Sequence, residues 1–126
     1  MNIGIIGAGH IAQKMASTIN LLDDFTNYAI ASRSIKKAES FKKKYGFKKA
    51  YNNYEDLLKD EDIDLVYIAT PHSFHYEHMK LCLKYHKPVL CEKILTTSSE
   101  DTMSIYKKFE EENVFVNEAL WTSFLP

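Results

Sequence analysis

Apolar residues along this chain fall into two alternating kinds of segment. Short runs of consecutive apolar residues are typical of strands buried on both faces, and they predict strands at 3–6, 28–31, 50–51, 65–69 and 89–91, with a last strand centred on 114–116. Between them, apolar residues recur at helical spacing, which predicts helices at 10–22, 35–45, 54–59, 74–85 and 98–112.

The alternation predicts the fold class. Strands that alternate with helices pair in parallel through right-handed crossovers, so we expect a doubly wound α/β fold: a parallel six-stranded sheet between two layers of helices. No repeat, linker or low-complexity tract interrupts the pattern, and residues 1–126 are therefore predicted to form one domain.

The first strand-to-helix turn carries a glycine motif. Gly7, Gly9 and Ala12 match G-x-G-x-x-G/A directly after a predicted strand and at the start of a predicted helix, as in the dinucleotide-binding Rossmann fold. Gly7 allows the tight turn, Gly9 admits a pyrophosphate and Ala12 lets the helix pack closely, with His10 and Ile11 as further candidate cofactor contacts. The alternative is a glycine-rich turn that binds no ligand.

The end of the second predicted strand bears on the choice of cofactor. An acidic residue that would bind the ribose hydroxyls of NAD is expected there, but the sequence reads Ala-Ser-Arg-Ser at 31–34. Ser32 and Arg33 suit a 2′-phosphate, and Lys37, one helical turn further on, adds a third candidate contact. The sequence therefore predicts NADP, with NAD as the alternative; Arg33 and Lys37 would otherwise be solvated surface charges.

Composition excludes several other classes. With 16 basic and 17 acidic residues the net charge is -1, so we expect neither a nucleic-acid nor a membrane partner. Two cysteines are too few for a disulfide framework, no signal peptide is recognisable, and no apolar run approaches the ~20 residues that span a bilayer. We therefore expect a soluble, cytoplasmic protein.

No metal site is predicted. His72, His75 and His78 recur every third residue, so the first and last diverge by about 120° on a helix, and no zinc-binding spacing is present. The lysines at 42–44, 48 and 49 border a helix end, where cations are favourable, and are expected to form a solvated face.

Several motifs in order resemble one family. GAGHIA, ASRS, DIDLVYIATPHSFHYEH, KPVLCEK and EALWTSFLP, which together span the chain, resemble the N-terminal domain of the glucose-fructose oxidoreductase and inositol dehydrogenase (Gfo/Idh/MocA) family, especially its dihydrodiol dehydrogenase-like members. The resemblance implies an NAD(P)-dependent oxidoreductase of sugars, polyols or related hydroxyl or carbonyl compounds. In that family a second domain supplies much of the substrate pocket and mediates oligomerisation.

The resemblance also implies residue roles. At the end of the fourth strand we expect cofactor contacts, with the His75 position lining the nicotinamide side. The family's Glu-Lys pair lies at the end of the fifth strand, with the lysine near the reacting hydroxyl. Lys93 is the predicted catalytic residue, orienting a hydroxyl and assisting proton transfer, unless Glu92 and Lys93 form only an ion pair. The candidates are Ala69, Thr70, Pro71, His72, His75, Glu92 and Lys93.

The sequence departs from the family in two respects. Ile94 replaces the proline that usually follows the lysine, which weakens the placement of Lys93, and the second domain is not among these 126 residues. We therefore expect the chain to bind cofactor without turnover and to form a homo-oligomer through its apolar end, Trp121, Phe124 and Leu125. The alternative function is a non-catalytic dinucleotide-binding module or redox sensor.

Overall fold

A computed structural model of the protein describes residues 1–92 and 99–119. A short 3-10 helix is present at His72–Phe74. The strands are β1 Asn2–Ile6, β2 Thr26–Ala31, β3 Lys49–Tyr51, β4 Leu65–Ile68, β5 Val89–Glu92 and β6 Val116–Ala119. The helices are α1 His10–Ile19, α2 Ile35–Tyr45, α3 Tyr54–Leu58, α4 His75–Lys84 and α5 Ser99–Glu111.

The strands of the described residues form one sheet in the order β3-β2-β1-β4-β5-β6, and every neighbouring pair is parallel. The predicted α/β fold with a parallel sheet is confirmed. The chain leaves β1 toward β2 on one side and later returns to place β4 on the other, so the order reverses beside β1. Ligands of open α/β sheets bind at such a switch point, outside the carboxyl ends of the strands.

Each face of the sheet has its own apolar core, because successive side chains of a strand point to opposite faces. Ile5 belongs to the core that includes α1 and α2, where Met15 and Phe41 are buried. Ile6 belongs to the opposite core, with Met79 of α4 and Phe109 of α5. Helices therefore cover both faces, and the carboxyl edge of the sheet is left for the connecting loops.

The last strand starts later than its apolar residues predict. It was expected to be centred on 114–116, but β6 runs from Val116 to Ala119. Asn113 follows α5 with a left-handed φ of 57°, and Val114 N–H donates back to the Phe109 carbonyl at 2.9 Å. This hydrogen bond is typical of a Schellman-type helix end. Because the Val114 N–H is bonded back to α5, the strand begins only after Val114.

Helix α1 is shorter than predicted. It ends at Ile19 because Leu21 and Leu22 N–H donate to the carbonyls of Thr18 and Ile19, three residues back, which closes a turn. Among the described residues, no helix has the length and apolar character needed to cross a membrane.

Candidate functional site

A cleft of about 670 Å³ opens at the carboxyl edge of the sheet. It lies where the loops after β1, β2 and β4 meet, at the switch point of the strand order. No aspartate or glutamate is among its described lining residues, so the cleft suits an anionic ligand. The lining residues are Gly7, Ala8, Gly9, His10, Ile11, Ser32, Arg33, Ser34, Lys37, Tyr54, Ala69, Thr70 and Pro71.

Glycine is favoured at the two motif positions for different structural reasons. Gly7 has a φ of 100°, and a Cβ there would lie 3.1 Å from the carbonyl carbon and oxygen of Ala69. Its N–H donates to the Ala31 carbonyl at 2.9 Å, which ties the turn to the end of β2. Gly9 has an ordinary φ of -94°, and a Cβ there would meet nothing within 4 Å. The fold itself requires Gly7, whereas the bare backbone at Gly9 leaves room for a ligand.

The amino end of α1 is suited to phosphate. Gly9 is its N-cap and has no side-chain cap hydrogen bond, and no acidic residue lies in the first turn. The N–H groups of a first helical turn have no intrahelical partner, and the helix dipole adds positive potential there. His10 and Ile11 line the cleft at this point, whereas Ala12 is fully buried and packs in the core between α1 and the sheet.

The wall after β2 presents two cations. Ser32, with 8% of its surface exposed, accepts a hydrogen bond from Ser34 N–H at its Oγ, 3.2 Å away. Ser34 caps α2 by accepting from the Lys37 N–H at 3.4 Å, so the cap fixes the start of the helix that carries Lys37. The exposed Arg33 guanidinium lies 6.0 Å from the centre of the Phe74 ring. This wall can bind an anion with a serine, an arginine and a lysine.

The wall after β4 is held by imidazoles of α4. Ala69 N–H donates to the Ile6 carbonyl at 2.9 Å, and beyond it the Thr70 carbonyl accepts from His75 Nε2 at 2.7 Å. The Thr70 hydroxyl is hydrogen-bonded to His78 Nδ1, also at 2.7 Å. His75 is fully buried behind Thr70 and is not among the described lining residues of the cleft; its expected place on the nicotinamide side stays a prediction.

An aromatic group that the sequence analysis missed adjoins the cleft. Tyr54, at the start of α3, lines the cleft, and its ring meets the His78 ring edge-on with centroids 4.9 Å apart. The Phe74 ring stacks on the His78 ring with centroids 5.8 Å apart. The available signal is topological, since α3 follows the carboxyl end of β3 and must start at the same edge. A smaller cavity of about 90 Å³ is lined by Arg33, Tyr54, Thr70, Pro71, Phe74 and His78.

The environment of His78 favours its neutral form. Burial lowers the pKa of its imidazole, and coulombic interactions with His75 and Arg33 lower it further, against an opposite effect of Glu77. The electropositive character of the cleft therefore comes from Arg33, Lys37 and the amino end of α1.

Other candidate residues are only partly described. His72 lies in the 3-10 helix after Pro71, and Glu92 ends β5, paired in register with Ala119 of β6. Lys93 and the apolar residues Trp121, Phe124 and Leu125 lie outside the described residues. Because all the strands are parallel, β5 ends at the same edge as the cleft.

The described residues include no group of three or more His, Cys, Asp or Glu placed to hold a metal ion. Cys82 and Cys91 are both buried, and neither forms a disulfide. Burial, with a smaller effect of Cys91, raises the pKa of Cys82 well above its ordinary value, so this thiol is not activated as a nucleophile.

The chain is similar in sequence to dehydrogenases of known activity. The chain is 36% identical over 125 residues to the trans-1,2-dihydrobenzene-1,2-diol dehydrogenase of Mus musculus, and 32% identical to that of Homo sapiens, covering 98% of this chain in both cases. It spans only 38% and 37% of the length of those two relatives.

Solved structures show the same fold. A 3-ketoreductase from Actinomadura kijaniata, solved in complex with NADP and TDP-benzene, superimposes with a TM-score of 0.89 at 28% identity, covering 94% of this chain and 36% of that one. An NAD-binding oxidoreductase from Klebsiella pneumoniae gives a TM-score of 0.88 at 28% identity, covering 94% and 34%.

The family model described as "Oxidoreductase family, NAD-binding Rossmann fold" (GFO_IDH_MocA) matches residues 1–119, which contain all the described residues of the cleft. The predicted family resemblance is therefore confirmed: the chain belongs to the Gfo/Idh/MocA oxidoreductase family and carries its NAD(P)-binding Rossmann domain.

Proposed function

We propose that this chain binds NADP in preference to NAD, as the cofactor domain of a dehydrogenase or reductase that interconverts hydroxyl and carbonyl compounds. The wall after β2 carries the proposal: Ser32, Arg33 and Lys37 line the cleft there, and no carboxylate is among its described lining residues. A carboxylate at this wall would bind the ribose hydroxyls of NAD and repel a 2′-phosphate, whereas a guanidinium donates paired hydrogen bonds to phosphate oxygens.

The cofactor would bind through three parts of the cleft. The amino end of α1 and the bare backbone of Gly9 would hold the pyrophosphate, and Arg33 with Ser32 and Lys37 would hold the 2′-phosphate. The segment Ala69–Thr70–Pro71 would form the wall beside the dinucleotide. When bound, the cofactor supplies a nicotinamide ring that gives or takes a hydride at C4.

The substrate class is proposed from the relatives. A dehydrogenase acting on a diol and a reductase acting on a ketone run the same kind of reaction in opposite directions. We propose a sugar, polyol or related hydroxyl or carbonyl compound for this protein. Lys93, one residue after β5, is the proposed catalytic residue that orients the hydroxyl and assists proton transfer. Glu92 would be its partner at the strand end.

The assembly of the enzyme is also a proposal. The relatives are much longer than this chain, so the substrate pocket and the residue that cooperates with Lys93 would come from a second domain. A homo-oligomer through the apolar end at Trp121, Phe124 and Leu125, a cytoplasmic location, and the lack of nucleic-acid or membrane partners stay predictions.

Calorimetric titration of the purified chain with NADP⁺ and NAD⁺ tests the cofactor proposal. We expect NADP⁺ to bind at least about tenfold more tightly, as for a charge-assisted contact worth about 1.4 kcal/mol. Tighter binding of NAD⁺ would reverse the assignment, and a lack of binding by both nucleotides would contradict the proposed function. Catalysis is tested by joining the chain to the second domain of a diol dehydrogenase relative. Cofactor binding without turnover in that chimera would favour the non-catalytic module.

A further inference from the structure

Side chains contribute to holding the wall after β4 in place. Past Ala69, whose N–H donates to the Ile6 carbonyl, the chain leaves the sheet. The Thr70 carbonyl accepts from the His75 imidazole instead of a backbone N–H, and Pro71 has no N–H to donate. The Pro71 carbonyl accepts from Phe74 N–H at 2.9 Å, within the turn itself. Side chains of α4 therefore hold Thr70 in place.

The second of these side chains is His78. Its Nδ1 lies 2.7 Å from the Thr70 hydroxyl. His78 is three residues after His75 on α4 and therefore lies on the same helix face. Thr70 in turn packs on the glycine turn, since its Cγ2 would lie 3.2 Å from a Cβ at Gly7. Through Thr70, His78 is connected to the turn that opens α1.

The His78 ring also lies where the other walls of the cleft meet. It is half-buried between Tyr54 of α3, at a centroid distance of 4.9 Å, and Phe74, at 5.8 Å. Phe74 contacts the Arg33 guanidinium from the wall after β2. The His78 imidazole thus contacts Thr70 of the wall after β4 and Tyr54 of the cleft lining. Through Phe74 it is linked to Arg33 of the wall after β2.

We propose that His78 is a positioning residue of the dinucleotide site, which fixes Thr70, and with it the wall after β4, by the hydrogen bond between its Nδ1 and the Thr70 hydroxyl. This inference rests on the proposed cofactor function. His78 does not touch the large cleft itself; it acts through Thr70 and Phe74.

The charge state of His78 agrees with this role. The groups that face it are Arg33 from the β2 wall, His75 and Glu77 on its own helix, and Tyr54 from α3. Burial, with smaller coulombic effects of His75 and Arg33, lowers its pKa and favours the neutral imidazole, which either accepts from or donates to the hydroxyl without adding charge beside Arg33.

The test separates the hydrogen bond from the aromatic packing. His78→Phe keeps an aromatic ring between Tyr54 and Phe74 but removes Nδ1, whereas His78→Asn keeps a short polar group near Nδ1 and loses the ring. Thr70→Val removes the hydroxyl from the other side, and the double variant completes a cycle. Lys84→Gln, on the exposed side of α4 and near its far end, is the matched control. NADP⁺ affinity is measured by calorimetry at pH 8, and folding by thermal unfolding.

We expect His78→Phe to weaken NADP⁺ binding about fivefold, the effect of one net hydrogen bond, and His78→Asn to stay within about twofold of the unsubstituted chain. Thermal stability should rank in the opposite order, with the phenylalanine variant above the asparagine variant. In the double variant, His78→Phe should add little to the loss caused by Thr70→Val.

Three results would overturn the proposal: unchanged affinity in His78→Phe, equal weakening by phenylalanine and asparagine, or additive losses in the double variant. If His78→Phe fails to fold, the comparison of His78→Asn with Thr70→Val decides, since a positioning bond predicts near-normal affinity for the first and weakened affinity for the second. Failure of the unsubstituted chain to bind NADP⁺ or NAD⁺ contradicts the proposed function instead, so the two failures are distinguishable.

Discussion

Gly7 packs so closely on Ala69 that a methyl group at position 7 would lie 3.1 Å from the Ala69 carbonyl carbon and oxygen. This contact joins the end of β1 to the end of β4 on the floor of the cleft. At Gly9, at the mouth of the same turn, a methyl group would have no neighbour within 4 Å. The fold therefore explains Gly7, whereas the open space at Gly9 is left for the proposed ligand.

Gly7→Ala is expected to lower the free energy of unfolding by about 1 to 3 kcal/mol, because alanine is strained at a φ of 100° and its Cβ crowds backbone atoms that cannot move away easily. Urea unfolding of the two proteins measures the difference. Gly9→Ala is the matched control and should change stability by no more than about 0.5 kcal/mol. Equal effects at both positions would contradict the assignment of Gly7 to the fold.

Gly9→Val should abolish nucleotide binding while the chain stays folded, because the valine side chain would extend into the open part of the cleft where the pyrophosphate is proposed to lie. Calorimetry gives the affinity, and circular dichroism checks the fold. Unchanged affinity in a folded Gly9→Val variant would show that the ligand does not approach this backbone.

Arg33→Ala should weaken NADP⁺ by about 1.5 to 3 kcal/mol, or about 10- to 150-fold, and affect NAD⁺ much less, because only NADP⁺ carries the 2′-phosphate. Both affinities are measured on the same preparation. Lys43→Ala, on α2 but outside the cleft, controls for the general loss of a positive charge. An equal loss for both nucleotides would place Arg33 elsewhere on the cofactor.

The acid sensitivity of the fold should depend on Asp60. Its carboxylate, with only 5% of the side chain exposed, accepts hydrogen bonds from Tyr51 OH at 2.7 Å, Lys49 Nζ at 3.1 Å and Asp62 N–H at 3.0 Å. Burial opposes ionisation, but these bonds outweigh it and lower the pKa of Asp60. As the pH falls, the unfolded chain therefore binds a proton at this carboxylate before the folded chain does. The stabilisation is present above the ordinary pKa of 3.8 and is lost as the pH falls through the lower pKa of the folded chain.

Asp60→Asn should lower the free energy of unfolding by about 1 to 3 kcal/mol at pH 7 and flatten the loss of stability below about pH 4.

For Tyr51 the dependence of stability on pH has the opposite sign and lies at alkaline pH. Burial, with the bond to Asp60, raises the pKa of Tyr51 from 10.0 to about 12, so stability should fall as the pH rises through this range. Tyr51→Phe should remove that alkaline loss. Urea unfolding across pH gives both profiles, and an unchanged acid limb in Asp60→Asn would contradict the assignment.

His86→Gly is expected to stabilise the chain by about 0.5 to 1.5 kcal/mol. His86 follows α4 with a left-handed φ of 55°, which costs a residue with a Cβ about 1 to 2 kcal/mol, whereas its exposed contact with Glu112, Nε2 to Oε1 at 3.1 Å, contributes little. The reciprocal control is Gly46→Ala, because Gly46 ends α2 at a φ of 78° with open space around it, and this change should destabilise the chain. Thermal unfolding measures both, and a destabilised His86→Gly would mean that the contact with Glu112 outweighs the strain.

Local patterns in the sequence predicted most of the fold. Runs of buried residues and helical spacing located the strands and helices, since a strand covered on both faces and a helix covered on one leave different periodicities. The prediction was wrong for the last strand, because the end of α5 uses the backbone of Val114, and a hydrogen bond of that kind leaves little trace in the pattern of apolar residues.

The candidate site, like the fold, was predicted only in part from the sequence. Gly7, Gly9, Ser32 and Arg33 are adjacent to strand ends in the sequence, and a parallel sheet brings those ends to one edge, so their meeting in one cleft was predictable. Tyr54 and His78 were not predicted as part of it, because each depends on how α3 and α4 are rotated against the sheet. That rotation is set by packing on both cores rather than by neighbouring residues in the chain.

By itself, the sequence determined the order of strands and helices, the glycine turn, the lack of an acidic residue after β2 and the family, because each depends on residue types at short spacing. Only the tertiary structure decided that His75 lies behind Thr70 instead of lining the cleft, and that His78 connects Thr70 with Tyr54 and Phe74. The physical reason is that a hydrogen bond or a ring contact requires atoms within a few ångströms. The distance between residues far apart in the sequence is fixed only when the helices have packed against the sheet.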